Sequence, residues 1–354
     1  MGNLTIRDIA RLSGCGVATV SRVLNHSSGV SEGTRQRVLD VIQAQGFQPN
    51  KNAKHLKQQA ETGVAILVKG SQNMLFASMV EVAQRLLREN GQDAAVYYLD
   101  EEANEVSYAA CLCRERKPKG ILFFGGDLAF FQVGFGQIEV PSVLLTNSAR
   151  DLNRPNLASV TADDRQAAAQ AVEYLAQNGH RCIGLLGGNR SDTQISALRL
   201  KGFREAMERL GLAFDEEQQW ECCRYSMADG WAAAGRLMDR CPEITAVFAM
   251  SDVVAVGAMR AVVDRGGKIP RDLSVVGCDG IPLASYCIPR LTTLGQDAQR
   301  LAQRGVELLL MQMERLGVAK HEIIPFVFME GESVTQFSQE GDREEGNLCE
   351  QREF

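Results

Sequence analysis

The chain has 354 residues, more than one ordinary domain, and its 45% apolar and 23% charged residues are typical of a folded globular protein. It contains no apolar run near the ~20 residues that a membrane span requires, and its first residues lack the apolar core of a signal peptide, so we expect a cytoplasmic protein. The net charge of −6 is unevenly divided, because residues 1–59 carry eight Lys or Arg and three acidic residues, a net +5 that leaves −11 for the remainder. A basic head on an acidic body favours a polyanionic partner for the head, with a merely solvated head as the alternative.

Catalytic and metal-binding patterns are not evident in the sequence. Ten cysteines are scattered without a Cys-x-x-Cys pair, which is typical of free thiols in a reducing compartment rather than of disulfides or zinc ligands. The glycine pairs near 125 and 187 lack the Lys-Ser/Thr of a phosphate loop, and the four histidines lie far apart. His180, in the loop NGHR, is expected to bind backbone groups. The sequence therefore predicts a protein that is not an enzyme and that uses no cofactor and no metal.

Two short helices are predicted at the N-terminus, on either side of a Gly-Cys-Gly break. Thr5 opens TIRDIARLS in a pattern typical of a helix start, with Ala10 and Leu12 among its apolar positions. After the break, VATVSRVLN resumes helical spacing, with Val20 and Val23 on one side. The residues that project from the other side are Val17, Ala18, Ser21 and Arg22. Two such helices joined by a glycine-containing turn indicate a helix-turn-helix, whose second helix enters the major groove of DNA.

A third helix is predicted over about 31–45, with Val38, Leu39 and Ile42 on its apolar face and Gly46 at its end. The chain then breaks at FQPN, and the following KNAKHLKQ is a cationic helix candidate that is too short to be stable alone. Leu56 lies in this polar segment, and its surroundings argue against an ordinary core position.

The run DIARLSGCGVATVSRVLNHSSGVSEGTRQRVLDVIQAQGFQPNKNAKHL resembles the DNA-binding head and hinge of the LacI/GalR family of bacterial transcriptional repressors. The resemblance implies that Arg22, Val17 and Ala18 contact base edges, and the chemistry agrees, because Arg22 suits guanine and the two apolar side chains suit a thymine methyl group. It also implies that Leu56, beside Ala53, is a wedge that opens a base step from the minor groove. The implied DNA-binding residues are Thr5, Val17, Ala18, Thr19, Ser21, Arg22, Asn25, Asn50, Ala53 and Leu56.

From Gly63 onward, short apolar strands alternate with helices. Strands are predicted at VAILV, AAVYYL, GILFF, SVLLT, CIGLL, TAVFAM and LSVVGC. Helices are predicted near 78–89, 164–177, 196–210, 229–239, 252–265 and 297–313. Repeated βα units over this length exceed one sheet, so they indicate two subdomains with parallel, doubly wound sheets and a ligand site in the cleft between them.

The same resemblance extends to about residue 336 through NGHRCIGLLGG, SALRLKGF, TAVFAMSDVVAVGAMRA, IPRDLSVVGCDG and PRLTTLGQD. It implies the fold class: an all-α helix-turn-helix head and an α/β periplasmic-binding-protein-like body of two doubly wound subdomains. The implied division is a head at 1–48, a hinge helix and linker at 49–61, an effector-binding and dimerisation body at 62–336 (subdomain one 62–162 and 293–325, subdomain two 163–292 and 326–336), and an acidic, disordered tail at 337–354. The tail has no leucine heptad, which favours a homodimer over a tetramer.

The resemblance also implies an effector site. The implied effector-binding residues are Leu75, Phe76, Asn147, Arg199, Tyr225, Asp252 and Asp279. Carboxylates, a guanidinium and aromatic faces together suit a sugar. Each polar residue has a purely structural alternative: Asp252 caps its helix, Asp279 ends a strand, or Arg199 pairs with an acid. Thr193 stands where purine-binding relatives have Arg, and Ala162-Asp163 replaces a common Asp-Asn pair, which disfavours a purine.

We therefore expect a cytoplasmic, homodimeric repressor that binds double-stranded operator DNA and is controlled by a small molecule, a sugar or sugar derivative. Two heads related by a dyad imply a pseudo-palindromic operator with half-sites about one helical turn apart. Whether the effector releases the repressor from DNA or holds it there stays open, although a sugar site favours release. The alternative is a cytosolic metabolite-binding or enzymatic protein whose head is non-functional.

Overall fold

The computed structural model describes residues 6–16, 19–20, 23, 31–44, 63–315 and 319–337. The chain divides into two compact units, a head at Met1–Glu61 and a body at Thr62–Phe354. Thr19 is half-buried in the head. The other predicted DNA-binding residues lie outside the described residues: Thr5, Val17, Ala18, Ser21, Arg22, Asn25, Asn50, Ala53 and Leu56.

The described part of the head contains helices α1 (Ile6–Ser13) and α2 (Glu32–Ala44), which pack against each other. Its core is formed by four buried side chains, Ala10, Val20, Val23 and Val38. The predictions for Leu12 and Leu39 are wrong, because these side chains are 48% and 39% exposed. Each lies one or two residues from a buried position, and a step of 100° per residue rotates it away from the core.

The body contains twelve strands and ten helices among its described residues. The strands are β1 Val64–Lys69, β2 Ala94–Leu99, β3 Gly120–Phe124, β4 Ser142–Leu145, β5 Leu157–Ala162, β6 Ile183–Leu186, β7 Trp220–Glu221, β8 Ala246–Ala249, β9 Ser274–Asp279, β10 Thr292–Gly295, β11 His321–Ile324 and β12 Val327–Met329. The helices are α3 Met74–Glu89, α4 Glu105–Glu115, α5 Leu128–Gly134, α6 Asp164–Gln177, α7 Ile195–Arg209, α8 Glu216–Gln219, α9 Met227–Arg240, α10 Asp252–Asp264, α11 Leu283–Tyr286 and α12 Ala298–Arg315.

The strands form two six-stranded sheets with the same winding. The first has the order β11-β5-β4-β3-β1-β2 and is parallel throughout, and the second has the order β12-β10-β9-β8-β6-β7, with only β12 antiparallel. All seven predicted strands are present, and six of them are buried, as is typical of continuous apolar runs. The exception is the edge strand β2, which is half-buried and leaves Tyr98 exposed. In each sheet the strand order reverses direction at one point, between β1 and β3 in the first sheet and between β6 and β8 in the second. At such a switch point the connections on either side run over opposite faces of the sheet, which leaves a crevice at the carboxyl ends of the strands.

Sheet membership locates the crossings between the two subdomains. The chain leaves the first sheet after β5, which ends at Ala162, the residue at which the resemblance implies that the first segment of subdomain one ends. The strand Thr292–Gly295 pairs with β9 in the second sheet, so the return crossing lies after Gly295, whereas the expected boundary was 293. The final crossing separates β11 from β12, next to the expected position at 325 and 326.

Helix pairs pack closely on the second sheet because small residues lie where they cross. A Cβ atom at Gly257 of α10 would lie 2.2 Å from the carbonyl oxygen of Met227 at the start of α9. A Cβ atom at Gly202 of α7 would lie 1.9 Å from the carbonyl oxygen of Arg165 in α6. These backbones therefore approach each other more closely than any other residue type allows.

The C-terminal segment of the body is held by the buried imidazole of His180. Its Nδ1 lies 2.9 Å from the Thr245 hydroxyl, its Nε2 lies 3.1 Å from the Thr335 carbonyl oxygen, and its ring stacks on Phe337. The prediction that His180 binds backbone groups is thus confirmed. Phe337 also donates its N–H to the Asn178 carbonyl, so the expectation that the disordered tail begins at 337 is corrected for this residue. Residues 338–354 lie outside the described residues.

This arrangement predicts a loss of stability in mild acid. Burial lowers the pKa of His180 below its ordinary value of 6.5, because it disfavours the charged imidazolium, and the hydrogen bond to the Thr335 carbonyl opposes that shift only in part. Below that pH the unfolded chain takes up the proton more readily, so this contribution is fully present above about pH 6.5 and is lost as the pH falls through the lowered pKa. In urea unfolding between pH 6.5 and the lowered pKa, the free energy of unfolding should fall more steeply with falling pH in the parent than in His180→Gln, by at most ~1.4 kcal/mol per pH unit. Equal slopes in the two proteins would contradict the assignment.

Candidate effector cavity

A cavity of about 270 Å³ opens where the carboxyl ends of the two sheets face each other. Lys69 and Gly125, at the ends of β1 and β3, line it from the first sheet, and Gly188, just after β6, lines it from the second. Both switch points therefore contribute to one crevice, which is where open α/β sheets bind small molecules.

Six of the seven predicted effector residues are brought together here. They are Leu75, Phe76, Asn147, Arg199, Tyr225 and Asp279. Leu75 and Phe76 are held at the start of α3, where the side chain of Asn73 accepts hydrogen bonds from both of their N–H groups. A Cβ atom at Gly125, whose φ is +77°, would lie 3.1 Å from the Phe76 ring. Glycine there satisfies both the backbone conformation and the space that the ring occupies.

Arg199 is buried in the floor of the cavity and is bonded on several sides. Its Nε donates to Asp164 Oδ1 at 2.7 Å, its Nη2 lies 3.5 Å from Asp279 Oδ1, and its Nη1 donates to the Met250 carbonyl. Gln296 donates from Nε2 to the same Asp279 oxygen at 2.9 Å. Burial raises the pKa of Asp279 to about 6, and the Arg199 charge opposes that rise. Arg199 therefore pairs with acidic residues, which is the structural alternative, and it also lines the cavity.

Asp252 is the predicted residue that the structure does not bring into the cavity. Its carboxylate is fully buried, where it accepts from the Thr293 hydroxyl at 2.6 Å and from the Ile281 N–H at 2.8 Å. Burial, with the charge of Asp279 adding to it, raises the pKa of Asp252 to about 8. The alternative that Asp252 caps its helix is wrong, since Ser251 caps α10. Asp252 instead joins that helix to β10 and to the loop after β9.

The cavity contains polar atoms that the protein leaves without a partner. Among the described residues, the Tyr225 hydroxyl and the Gln296 Oε1 accept and donate no hydrogen bond although both are buried. Leaving such groups unpaired costs roughly 1–3 kcal/mol each. Asp279 and Thr146, at the ends of β9 and β4, have φ values of +120° and +71°, which residues with a Cβ seldom adopt. Strain and unpaired groups of this kind cluster where a protein binds a ligand.

Several cavity residues were not predicted from the sequence. They include Lys69, Asn73, Glu101, Thr146, Asn189, Gln194 and Gln296. Lys69, Glu101 and Gln296 each end or closely follow a parallel strand, so the rule that strand carboxyl ends meet at one edge could have found them. Asn189 and Gln194 belong to a loop, and their position depends on how it folds. Among the described residues no three His, Cys, Asp or Glu side chains are grouped to bind a metal ion.

Two groups of hydrogen bonds cross the cleft between the subdomains. In the first clasp, the Asp127 carboxylate accepts from the Thr193 hydroxyl at 2.5 Å and from Gln194 Nε2 at 3.0 Å. Burial would raise the pKa of Asp127, but these bonds outweigh it and hold that pKa below its ordinary value. In the second clasp, Glu101 accepts from the Tyr225 N–H at 3.2 Å and lies 3.5 Å from Arg224. The two subdomains are thus joined on both sides of the cavity.

The first clasp yields a prediction about cleft opening. The Leu128 N–H donates to the Thr193 carbonyl across the cleft, so its hydrogen exchange reports on opening. A bond from a neutral donor to a charged acceptor contributes roughly 1.5–3 kcal/mol, so Thr193→Val should speed exchange at Leu128 about tenfold or more. Thr161→Val, which removes a bond within one subdomain, should leave that exchange unchanged. Unaltered exchange in Thr193→Val would show that this bond does not hold the cleft closed.

Comparison with known proteins supports the division into head and body. Residues 5–50 match the model of bacterial regulatory proteins of the lacI family, and residues 172–334 match a periplasmic binding protein-like domain. The HTH-type transcriptional regulator MalR of Clostridium butyricum is 33% identical over 334 residues, 93% of this chain and 99% of that one. The regulator GalS of Salmonella typhimurium is 31% identical over 87% of this chain and 89% of that one. The solved transcriptional regulator CelR–cellobiose complex has a TM-score of 0.65 and 26% identity, covering 93% of this chain and 99% of that one.

A helix-turn-helix head followed by an α/β body of two subdomains with a cleft between them is the architecture of a DNA-binding transcriptional regulator. The chain belongs to the lacI family of bacterial regulatory proteins and is a DNA-binding transcriptional regulator. No helix in the described ranges is long and apolar enough to cross a membrane.

Proposed function

We propose that this regulator is a cytoplasmic repressor that binds a pseudo-palindromic operator as a homodimer and is released by a carbohydrate bound in the cleft. The observation that carries the effector assignment is the cavity wall, because Arg199, Asp279 and the Tyr225 hydroxyl, which has no hydrogen-bond partner in the described part of the chain, line the same cavity as Phe76. The regulator has no enzymatic role in this proposal.

The chemistry of the lining favours a sugar over a purine or an amino acid. Sugar hydroxyl groups both donate and accept, so they pair with carboxylates such as Asp279 and with donors such as Arg199 and the Asn147 amide. The apolar C–H face of a sugar ring packs on an aromatic side chain, here Phe76. Thr193, which replaces the Arg of purine-binding relatives, is engaged with Asp127 in the first clasp. The relative whose solved structure holds cellobiose supports the same class of ligand.

For DNA recognition, we propose that Arg22 reads a guanine and that Leu56 is the minor-groove wedge, as the resemblance of the head implies. The remaining proposed contacts are Thr5, Val17, Ala18, Thr19, Ser21, Asn25, Asn50 and Ala53. A duplex selected from a random library by the full-length protein should be a palindrome, and its scrambled version should bind roughly a thousandfold or more weakly at physiological salt. Arg22→Ala should weaken binding to the palindrome ~5- to 150-fold and relax the preference at one guanine.

Equal affinity for the palindrome and the scrambled duplex would instead favour a metabolite-binding or enzymatic protein with a non-functional head. Equal loss on specific and random DNA in Arg22→Ala would contradict the base-reading role of that residue and leave the regulator assignment intact.

The Tyr225 hydroxyl gives a test of the cavity that does not endanger the fold. Because this hydroxyl has no partner among the described residues, Tyr225→Phe should leave the free energy of unfolding unchanged or slightly higher. If the hydroxyl binds the effector, calorimetric titration with a panel of sugars should show affinity for the bound sugar reduced roughly 10-fold. Operator binding without sugar should be normal.

Tyr174→Phe is the matched control, because its hydroxyl bonds Glu330 outside this cavity and its loss should not change sugar affinity. Binding of a purine with no response to any sugar would overturn the carbohydrate assignment. Equal sugar affinity in Tyr225→Phe and the parent would remove Tyr225 from the binding contacts.

A further inference from the structure

A cluster of cations lies at the C-terminal end of α4 and in the turn that leads from it to β3. We call this segment the basic turn, and its cations are Arg114, Arg116, Lys117 and Lys119. Arg114, Lys117 and Lys119 are exposed, and Arg116 is half-buried. No carboxylate in the described part of the chain forms an ion pair with any of them. Residues 114–119 carry these four cations and one carboxylate, that of Glu115, so the run has a net charge of +3, which contrasts with the acidic composition of the body.

Lys117 occupies a position where glycine would be less strained. It follows the C-cap residue of α4, donates its N–H to the Leu112 carbonyl, and has a φ of +49°. Side chains with a Cβ are disfavoured in this left-handed conformation. The residues at the same position after α3, α6, α7 and α10 are all glycines with positive φ: Gly91, Gly179, Gly211 and Gly266. A lysine at the fifth such turn indicates that its charge has a use that the fold does not require.

The basic turn lies where the chain enters the body. The Lys119 N–H donates to the Gly63 carbonyl at 3.0 Å, and Gly120 pairs with Val64 at the amino ends of β3 and β1. Gly63 is the first described residue after the linker that leads from the head. Arg88, in the last turn of α3, adds a further exposed cation before β2. The tether to the head and the cations thus share one edge of the first sheet, opposite the edge that lines the cavity.

Helix stability alone does not account for this cluster. Cations in the last turn of a helix interact favourably with its dipole, which explains Arg114 and Arg116. Lys119 lies beyond the helix, at the start of β3, and Lys117 introduces strain where a glycine would relieve it. The charge therefore matches an external polyanion, and the tether at Gly63 connects this edge to the unit that binds DNA.

We propose that the basic turn contacts the phosphate backbone of the DNA that flanks the operator, so that the body itself contributes to DNA affinity. The proposal rests on the proposed DNA binding of the head and adds a second contact region to it. Lysine–phosphate contacts of this kind carry no sequence information, so they raise affinity for any flanking sequence and increase the salt dependence of binding.

The test uses the full-length protein and two duplexes. One ends with the palindrome selected by the parent, and the other extends it by random sequence of about one and a half helical turns on each side. The variant Lys117→Gly/Lys119→Gln should bind the long duplex roughly 2- to 10-fold more weakly than the parent, because exposed charge pairs contribute modestly. The slope of log K against log salt concentration should fall by about 0.9 for each lost phosphate contact. Affinity for the short duplex should equal that of the parent.

The matched control is Lys201→Gln/Lys268→Gln, which removes two exposed cations from the other subdomain and should behave as the parent on both duplexes. Thermal unfolding of the Lys117→Gly/Lys119→Gln variant should be unchanged or shifted upward, since glycine relaxes the left-handed residue. Equal loss on the short and long duplexes, or no loss on either, would overturn the proposal; the latter result would point to an acidic protein as the partner.

A failure of the proposed operator recognition would give a different result from a failure of the basic-turn proposal. If the parent selects no sequence, the proposed operator recognition fails. The same variants on short and long random duplexes then decide whether the basic turn binds DNA, because its phosphate contacts do not depend on base sequence.

Discussion

The cavity wall that the second subdomain contributes depends on the buried guanidinium of Arg199. Its charge is enclosed, so protein groups must meet it, and they do so at Asp164, Asp279 and the carbonyl of Met250. One side chain therefore joins the start of α6, the end of β9 and the loop after β8. Truncating it would leave two buried carboxylates without a counter-charge, at a cost of roughly 3–5 kcal/mol. The residue that forms the cavity floor is thus also part of what holds the second subdomain together.

The strands that could be predicted are those whose sequences are continuous apolar runs, such as GILFF at β3, because strands buried on both faces have that composition. The strand LASVTA at β5 is equally buried, yet its small and hydroxyl-bearing residues resemble a loop. The strands β10, β11 and β12 have only three or four residues each. Their assignment to one sheet or the other depends on contacts distant in sequence, so local pattern could not locate the crossing after Gly295.

The candidate site shows the same limit at the level of single side chains. Asp252 and Asp279 both lie at the junction of a strand and a following segment, and their types and spacing do not distinguish them. In the structure Asp279 has a positive φ and lines the cavity. Asp252 instead packs against β9, where a Cβ atom at Gly277 would lie 2.3 Å from the Asp252 carboxylate. Whether a polar residue faces a cavity or a strand is thus decided by tertiary packing. The resemblance to a family supplied Arg199 and Tyr225 because it carries that packing implicitly.

Tyr225 connects the cavity to the closure of the cleft. Its N–H is bonded to Glu101 of the opposite subdomain, while its hydroxyl lines the same cavity as Arg199 and Asp279 and has no hydrogen-bond partner among the described residues. A ligand changes a conformational equilibrium only through a difference in its affinity for the two states. A ligand that bonds both the Tyr225 hydroxyl and groups of the first subdomain has all its partners only while the second clasp is formed. Binding of such a ligand and formation of the second clasp would therefore favour each other, because each stabilises the arrangement that the other requires.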